Sequence, residues 1–199
     1  VSDAPAPARR PAPFDWLLLF GILVLTAGGA VMVYSASAIT ATHNLHDEFY
    51  FLTRQAVAFA IGVGLLIVAL RLGYRRLIPL AYPLLGFTLA LLVLVLIPGL
   101  GRVAGGARRW IPIGIVNFQP AELAKVALVL YLARSLARQR DKVKHFSIGF
   151  LPHVVVTGLL VGLCLLERDM GTGVIMVLVL FTMLFAAGAR ISYLIGGLL

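Results

Sequence analysis

The chain has 199 residues, of which 61% are hydrophobic and only 13% charged, and its mean hydropathy is +1.01. These values exclude an ordinary soluble domain and a disordered chain alike. The formal net charge of +9 suits a polyanion-binding protein, but the basic residues flank apolar blocks, so nucleic acid is not needed as a partner.

Residues 1–14, VSDAPAPARRPAPF, are rich in proline and alanine and carry no apolar periodicity. They read as a disordered cytoplasmic tail. They lack the order of a signal peptide, so the first span is expected to stay as an anchor. Apolar blocks follow at Trp16–Tyr34, Phe51–Leu70, Leu77–Ile97, Pro120–Leu136, Phe146–Leu166 and Gly171–Ala189. Each approaches the roughly 20 helical residues that cross a bilayer, and none alternates with the period of a barrel strand. An all-α polytopic transmembrane bundle with about six complete spans is expected, because lipid leaves the backbone no outside partner. The chain does not begin with methionine, and its last run, Ile191–Leu199, is too short to span. Residues 15–199 therefore read as the N-terminal part of a longer membrane domain.

Charge placement predicts an orientation. With the N-terminus cytoplasmic, 11 of the 17 basic residues fall on the inner side. Arg54, Arg102, Arg108, Arg109 and Arg168 fall outside, and Lys125 falls within a span. This obeys the positive-inside rule. Trp16, Tyr34, Tyr50 and Trp110 lie at span ends, as an aromatic belt would place them. Gly21, Gly28, Gly29, Gly62 and Gly64 favour close helix packing. The outer loop HNLHDEF, His43–Phe49, reads as solvated rather than metal-binding, and His153 reads as a packed or hydrogen-bonded histidine. The single cysteine, Cys164, allows no intrachain disulfide and no metal-ligand spacing.

The polar residues cluster in two places. In GARRWIPIGIVNFQPAELAK, Gly106–Lys125, Arg108, Arg109 and Trp110 lead through a short apolar turn to Gln119 and Pro120, where a helix opens. Glu122 and Lys125, three residues apart on one helix face, can pair. Glu122 suits the positive end of the helix dipole, so a capping role is open. The alternative is a polar cavity on the outer face, because ionisable groups cost about 2.5–3.5 kcal/mol each at mid-membrane. The second cluster is ERDMGTG, Glu167–Gly173, between the fifth and sixth blocks. There Asp169 can cap the next helix, or share a site with the first cluster, since both are expected on one membrane face.

Taken together, MVYSASA (Met32–Ala38), FYFLTRQ (Phe49–Gln55), GARRWI (Gly106–Ile111), NFQPAELAK (Asn117–Lys125) and RDMGTG (Arg168–Gly173) resemble the SEDS family. These are the shape, elongation, division and sporulation proteins of bacterial cell-wall synthesis. The first two motifs and the proline-rich tail look more like its cell-division branch than its elongation branch. The resemblance implies a ten-span glycosyltransferase of the cytoplasmic membrane that polymerises lipid II outside the cell. Its implied partners are a class B penicillin-binding protein and other division-machinery proteins. It implies supporting catalytic roles for Glu122, Lys125 and Asp169, while the family's principal aspartate is expected beyond residue 199. The chemistry needs a carboxylate base and positive charge at a pyrophosphate leaving group. Arg108, Arg109, Trp110 and Gln119 are the substrate-binding candidates. No cofactor is identified, although a divalent cation would suit a pyrophosphate. Arg168 departs from the proline that the family places before this aspartate. An elongation-type polymerase of the same family, a lipid II flippase and a non-catalytic division scaffold remain as alternatives.

Overall fold

The computed structural model describes residues 15–45, 50–98, 101–104, 107–113, 116–139, 142–190, 192–193 and 196. The expected tail at 1–14 and the side chains of the His43–Phe49 loop lie outside these. The chain divides into two compact units, Val1–Ala60 and Ile61–Leu199.

In the first unit, α1 (Trp16–Leu45) opens on Asp15, whose Oδ1 accepts from the Leu18 N–H at 2.9 Å. This satisfies one of the donors that a helix start leaves without a partner. Its side chains face outward as no soluble helix tolerates, with Leu17 82% and Leu25 78% exposed. Helix α2 (Tyr50–Leu72) begins here and ends in the second unit.

The second unit continues with α3 (Tyr74–Leu77), a 3₁₀ turn at Ile78–Leu80 and α4 (Ala81–Leu96). Three short strands follow: β1 (Arg102–Ala104), β2 (Ala107–Ile113) and β3 (Val116–Phe118). Then come α5 (Pro120–Arg138), a wide π turn at Phe146–Phe150, α6 (Leu151–Leu166) and α7 (Met170–Ala186). The architecture is an all-α polytopic membrane bundle with a small antiparallel sheet of order β1-β2-β3.

A helix lies where each apolar block was expected. Among the described residues three segments are long and apolar enough to cross, Thr53–Leu72, Tyr74–Leu96 and Phe146–Leu166. Met170–Ala186 is a shorter apolar helix, and Trp16–Met32 is an apolar stretch within the 30-residue α1. Helix α5 is not among them, because it carries Glu122, Lys125, Arg134 and Arg138.

That helix is instead the centre of the bundle. Ala121, Ala124, Ala127, Leu128 and Leu132 are fully buried where α5 packs on α4, α6 and α7. The alanines recur every three residues, so one face of α5 is nearly flat and neighbouring backbones can approach it. At Gly21, Gly28, Gly29, Gly62 and Gly64 an added Cβ would meet nothing within 4 Å. Among the described residues, close packing thus runs through the α5 alanines and not through those glycines. Gly149 is a glycine by necessity, since a Cβ there would run into the backbone of Val143.

His153 is buried as expected. Its Nδ1 lies 2.8 Å from the Gly149 carbonyl and its Nε2 lies 2.9 Å from Ser135 Oγ. A carbonyl can only accept, so Nδ1 carries the proton and Nε2 accepts from the serine hydroxyl.

Candidate functional site

The residues read as a short apolar turn after Trp110 form strands. Ile111, Ile113, Val116 and Phe118 are β-branched or aromatic, and they suit a pleated, half-buried surface. The register pairs Ile111 with Phe118, Pro112 with Asn117 and Ile113 with Val116. On the other side Arg102 pairs with Trp110 and Val103 with Arg108. Pro112 lies beyond the β1 pairing, so its missing N–H breaks no bond on that edge.

The β1–β2 ladder steps from the Arg102–Trp110 pair to the Val103–Arg108 pair, so Arg109 is the extra residue of a bulge on β2. Arg108 is exposed, whereas Arg109 is partly buried, with its Nε shut away from solvent and without a hydrogen-bond partner among the described residues. Trp110 is half-buried. Two residues that adjacency groups together therefore face different surroundings.

At the start of α5, Pro120 occupies the first turn and Gln119 the cap position. The Gln119 side chain makes no cap. Its Nε2 instead donates to Asp169 Oδ2 at 2.5 Å, across 50 residues of sequence. That bond brings the two polar clusters to one end of the bundle. Lys125 Nζ meets Glu122 Oε1 at 2.9 Å, as the spacing predicts. The pair is not deeply buried: the Lys125 side chain is 25% exposed and that of Glu122 59%.

Asp169 is the most heavily bonded carboxylate at this end. Its Oδ1 accepts from the Thr172 N–H at 3.1 Å and its Oδ2 from the Thr172 hydroxyl at 2.8 Å. It is the N-cap of α7, and the capping role read from the sequence is realised. Just before it, α6 ends in a Schellman motif. The Asp169 N–H reaches the Cys164 carbonyl at 2.8 Å, and the Arg168 N–H reaches the Leu165 carbonyl at 3.0 Å. This geometry needs a left-handed residue, and Arg168 supplies it with φ of 60°. A proline, fixed near −65°, cannot take that conformation. A proline at this position would need a different turn, whereas Arg168 leaves Asp169 in place as a cap.

Sequence reading did not single out Glu167. It is only 1% exposed, and neither carboxylate oxygen has a hydrogen-bond partner among the described residues. Burial, and next the negative charge of Asp169, push its carboxyl up to about 8, while Arg109 pulls the other way. The signal available was a carboxylate two residues from Asp169 in an apolar setting. Among the described residues no three His, Cys, Asp or Glu side chains gather where a metal ion could be held.

The site thus joins guanidinium and ammonium groups (Arg109, Lys125, with Arg108 outside) to three carboxylates in different states. Glu122 is exposed and paired, Asp169 is bonded as a cap, and Glu167 is buried. Such an end can bind an anionic group and hold a proton.

A probable peptidoglycan glycosyltransferase FtsW of Geobacter sulfurreducens is 48% identical over 182 residues, covering 92% of this chain and 49% of the relative. The stage V sporulation protein E of Bacillus subtilis is 37% identical over 189 residues, covering 94% of this chain and 51% of that protein. Among solved structures, a mutant of the rod shape determining protein RodA of Thermus thermophilus superposes with a TM-score of 0.75 at 36% identity. That match covers 94% of this chain and 58% of RodA. The chain spans about half the length of the curated relatives it matches. The family model described as cell cycle protein, that of FtsW, RodA and SpoVE, matches residues 15–199. The chain belongs to this family, the SEDS family, and within it is FtsW-like.

Proposed function

We propose that the full-length protein is a peptidoglycan glycosyltransferase that polymerises lipid II at the outer face of the bacterial cytoplasmic membrane during cell division. The observation that carries the reading is the Gln119–Asp169 bond. It sets the cationic β2–α5 segment beside the carboxylates of the α6–α7 turn in a chain whose relatives are named probable peptidoglycan glycosyltransferases. The N-terminus is cytoplasmic, the chain crosses the membrane six times, and the whole protein crosses about ten times.

In this reading an acceptor hydroxyl attacks the anomeric carbon of the lipid-linked donor, and the lipid pyrophosphate leaves. Lys125, Arg108 and Arg109 supply positive charge to the pyrophosphate, where it counts most as the leaving group develops. Glu122 orients Lys125, and Asp169 holds Gln119 and the start of α7 in register with them. Trp110 and Gln119 line the substrate path. The principal carboxylate base lies in the part of the protein beyond residue 199. A class B penicillin-binding protein, which cross-links the product, is the partner, together with other division proteins. A solved peptidoglycan synthase complex that coordinates polymerization and crosslinking supports this, since one of its chains resembles the present one at 36% identity and a TM-score of 0.71.

The test is lipid II polymerisation in vitro by the full-length protein, normalised to folded protein. Lys125→Ala should lower the rate about 100-fold or more, the loss seen when one charge-stabilising donor is removed. If Lys125 only balances Glu122, then Glu122→Gln with Lys125→Met restores full activity, and the site assignment fails. Residues 1–199 alone should form no glycan strands. Cysteines placed near Gly105 and at Asn44 should react with an impermeant thiol reagent from outside, and one at Gln139 should not. Outside labelling at Gln139 would overturn the orientation.

A further inference from the structure

The opposite end of the second unit carries a groove that the proposed polymerisation does not use. It encloses about 450 Å³ and is lined by Arg75, Ile78, Pro79, Arg134, Ala137 and Arg138. Three of the six are arginines, none is acidic, and the remaining wall is apolar. Arg134 is held in place, because its Nη1 donates to the carbonyls of Ile78 at 3.0 Å and Pro79 at 2.8 Å. Its guanidinium also lies over the Tyr82 ring, 5.0 Å from the centroid. Arg75 and Arg138 are exposed at the rim.

The depth of the groove follows from the chain. Arg75 lies at the junction of Thr53–Leu72 and Tyr74–Leu96, two segments each long enough to cross a membrane. A junction between successive spans sits at a membrane surface, at headgroup level. The Arg134 bonds to Ile78 and Pro79 bring the end of α5 to the same level.

We propose that this groove binds the phosphodiester headgroup of an anionic phospholipid. The guanidinium groups take the phosphate, which a planar fork of N–H donors matches in a way an ammonium does not. Ile78, Pro79 and Ala137 take the glycerol and the first methylenes. Orienting charge alone would leave arginines scattered in water, whereas here one is preorganised by the backbone and three surround a single concavity.

The experiment uses the purified full-length protein in detergent, titrated with phosphatidylglycerol or phosphatidylcholine, with retained lipid counted by native mass spectrometry. Phosphatidylglycerol should be retained selectively. The double variant Arg75→Gln with Arg138→Gln should hold it about 30-fold more weakly, which is about 1 kcal/mol per arginine. Both side chains are exposed, so thermal unfolding should be unchanged. Lys142→Gln with Lys144→Gln removes the same charge outside the groove and should leave retention intact. Equal retention of the two lipids, or equal loss from both double variants, would overturn the site. Displacement of phosphatidylglycerol by millimolar inorganic phosphate would overturn the lipid assignment, and its failure to displace supports it.

Discussion

The Lys125–Glu122 pair and the Glu167–Asp169 turn occupy the same end of one bundle and hold their charges in opposite ways. The pair stands partly in solvent, and its two members neutralise each other at 2.9 Å. The turn buries two carboxylates within three residues: one is tied by its cap bonds and by Gln119, and the other has no hydrogen-bond partner among the described residues. Exposed ion pairs contribute little to stability, whereas a buried carboxylate is expensive unless it is neutralised or bonded. A charge pattern obvious in sequence can therefore matter least to the fold, and an inconspicuous glutamate can matter most.

The largest expected effect tests the buried member. The folded protein holds the Glu167 proton up to about pH 8, while a glutamate in water releases it near 4.5. Between those values the folded state binds more protons than the unfolded one, so stability falls as pH rises through this window. Glu167→Gln should flatten that fall and be more stable than the parent at pH 8, by roughly 2–5 kcal/mol. Unfolding curves in detergent at pH 5 and pH 8 measure it. Equal pH slopes in parent and variant would break the comparison from this side.

Asp169→Ala comes next. It removes the cap of α7 and the tie to Gln119, and should destabilise the protein by about 2–4 kcal/mol. Asp169→Asn should keep most of the stability, because asparagine caps as well as aspartate. If both substitutions cost the same, the charge of Asp169 matters to the fold and its capping geometry does not.

Arg168 sharpens the comparison with the end of α7. There Gly188, with φ of 82°, serves the same left-handed position, with the Ala189 N–H on the Leu184 carbonyl at 3.0 Å. Arg168→Gly should therefore stabilise the protein by about 1 kcal/mol. Arg168→Pro should destabilise it by more than that, since it forbids the positive φ and removes the N–H bonded to Leu165. Thermal unfolding reads both.

The smallest effect belongs to the pair. Glu122→Gln with Lys125→Met should change folding stability by about 1 kcal/mol or less. A loss well above that would show the pair to be part of the architecture.

Much of this molecule was legible from residue order alone. The helices lie at the apolar blocks, Pro120 opens α5, Asp169 caps α7, and Lys125 meets Glu122, because each depends on neighbours within one helical turn. His153 was also read correctly as a bonded, packed residue. The strands at 102–118 were not foreseen. A seven-residue strand that contains a proline and pairs over only part of its length on each side leaves too little period-two pattern to recognise. The different surroundings of Arg108 and Arg109 follow from that strand and were hidden with it.

Residue order by itself determined the membrane class, the places of the helices, their local caps and the family, since hydropathy, helical spacing and motifs are short-range properties. Tertiary structure alone decided three things. It made α5, the most charged of these helices, the buried centre, because its alanine face admits close neighbours. It joined Gln119 to Asp169 across 50 residues. And it shut Glu167 away from water beside Arg109 and Asp169. The burial of a charge is set by what packs over it, which the neighbours along the chain do not specify.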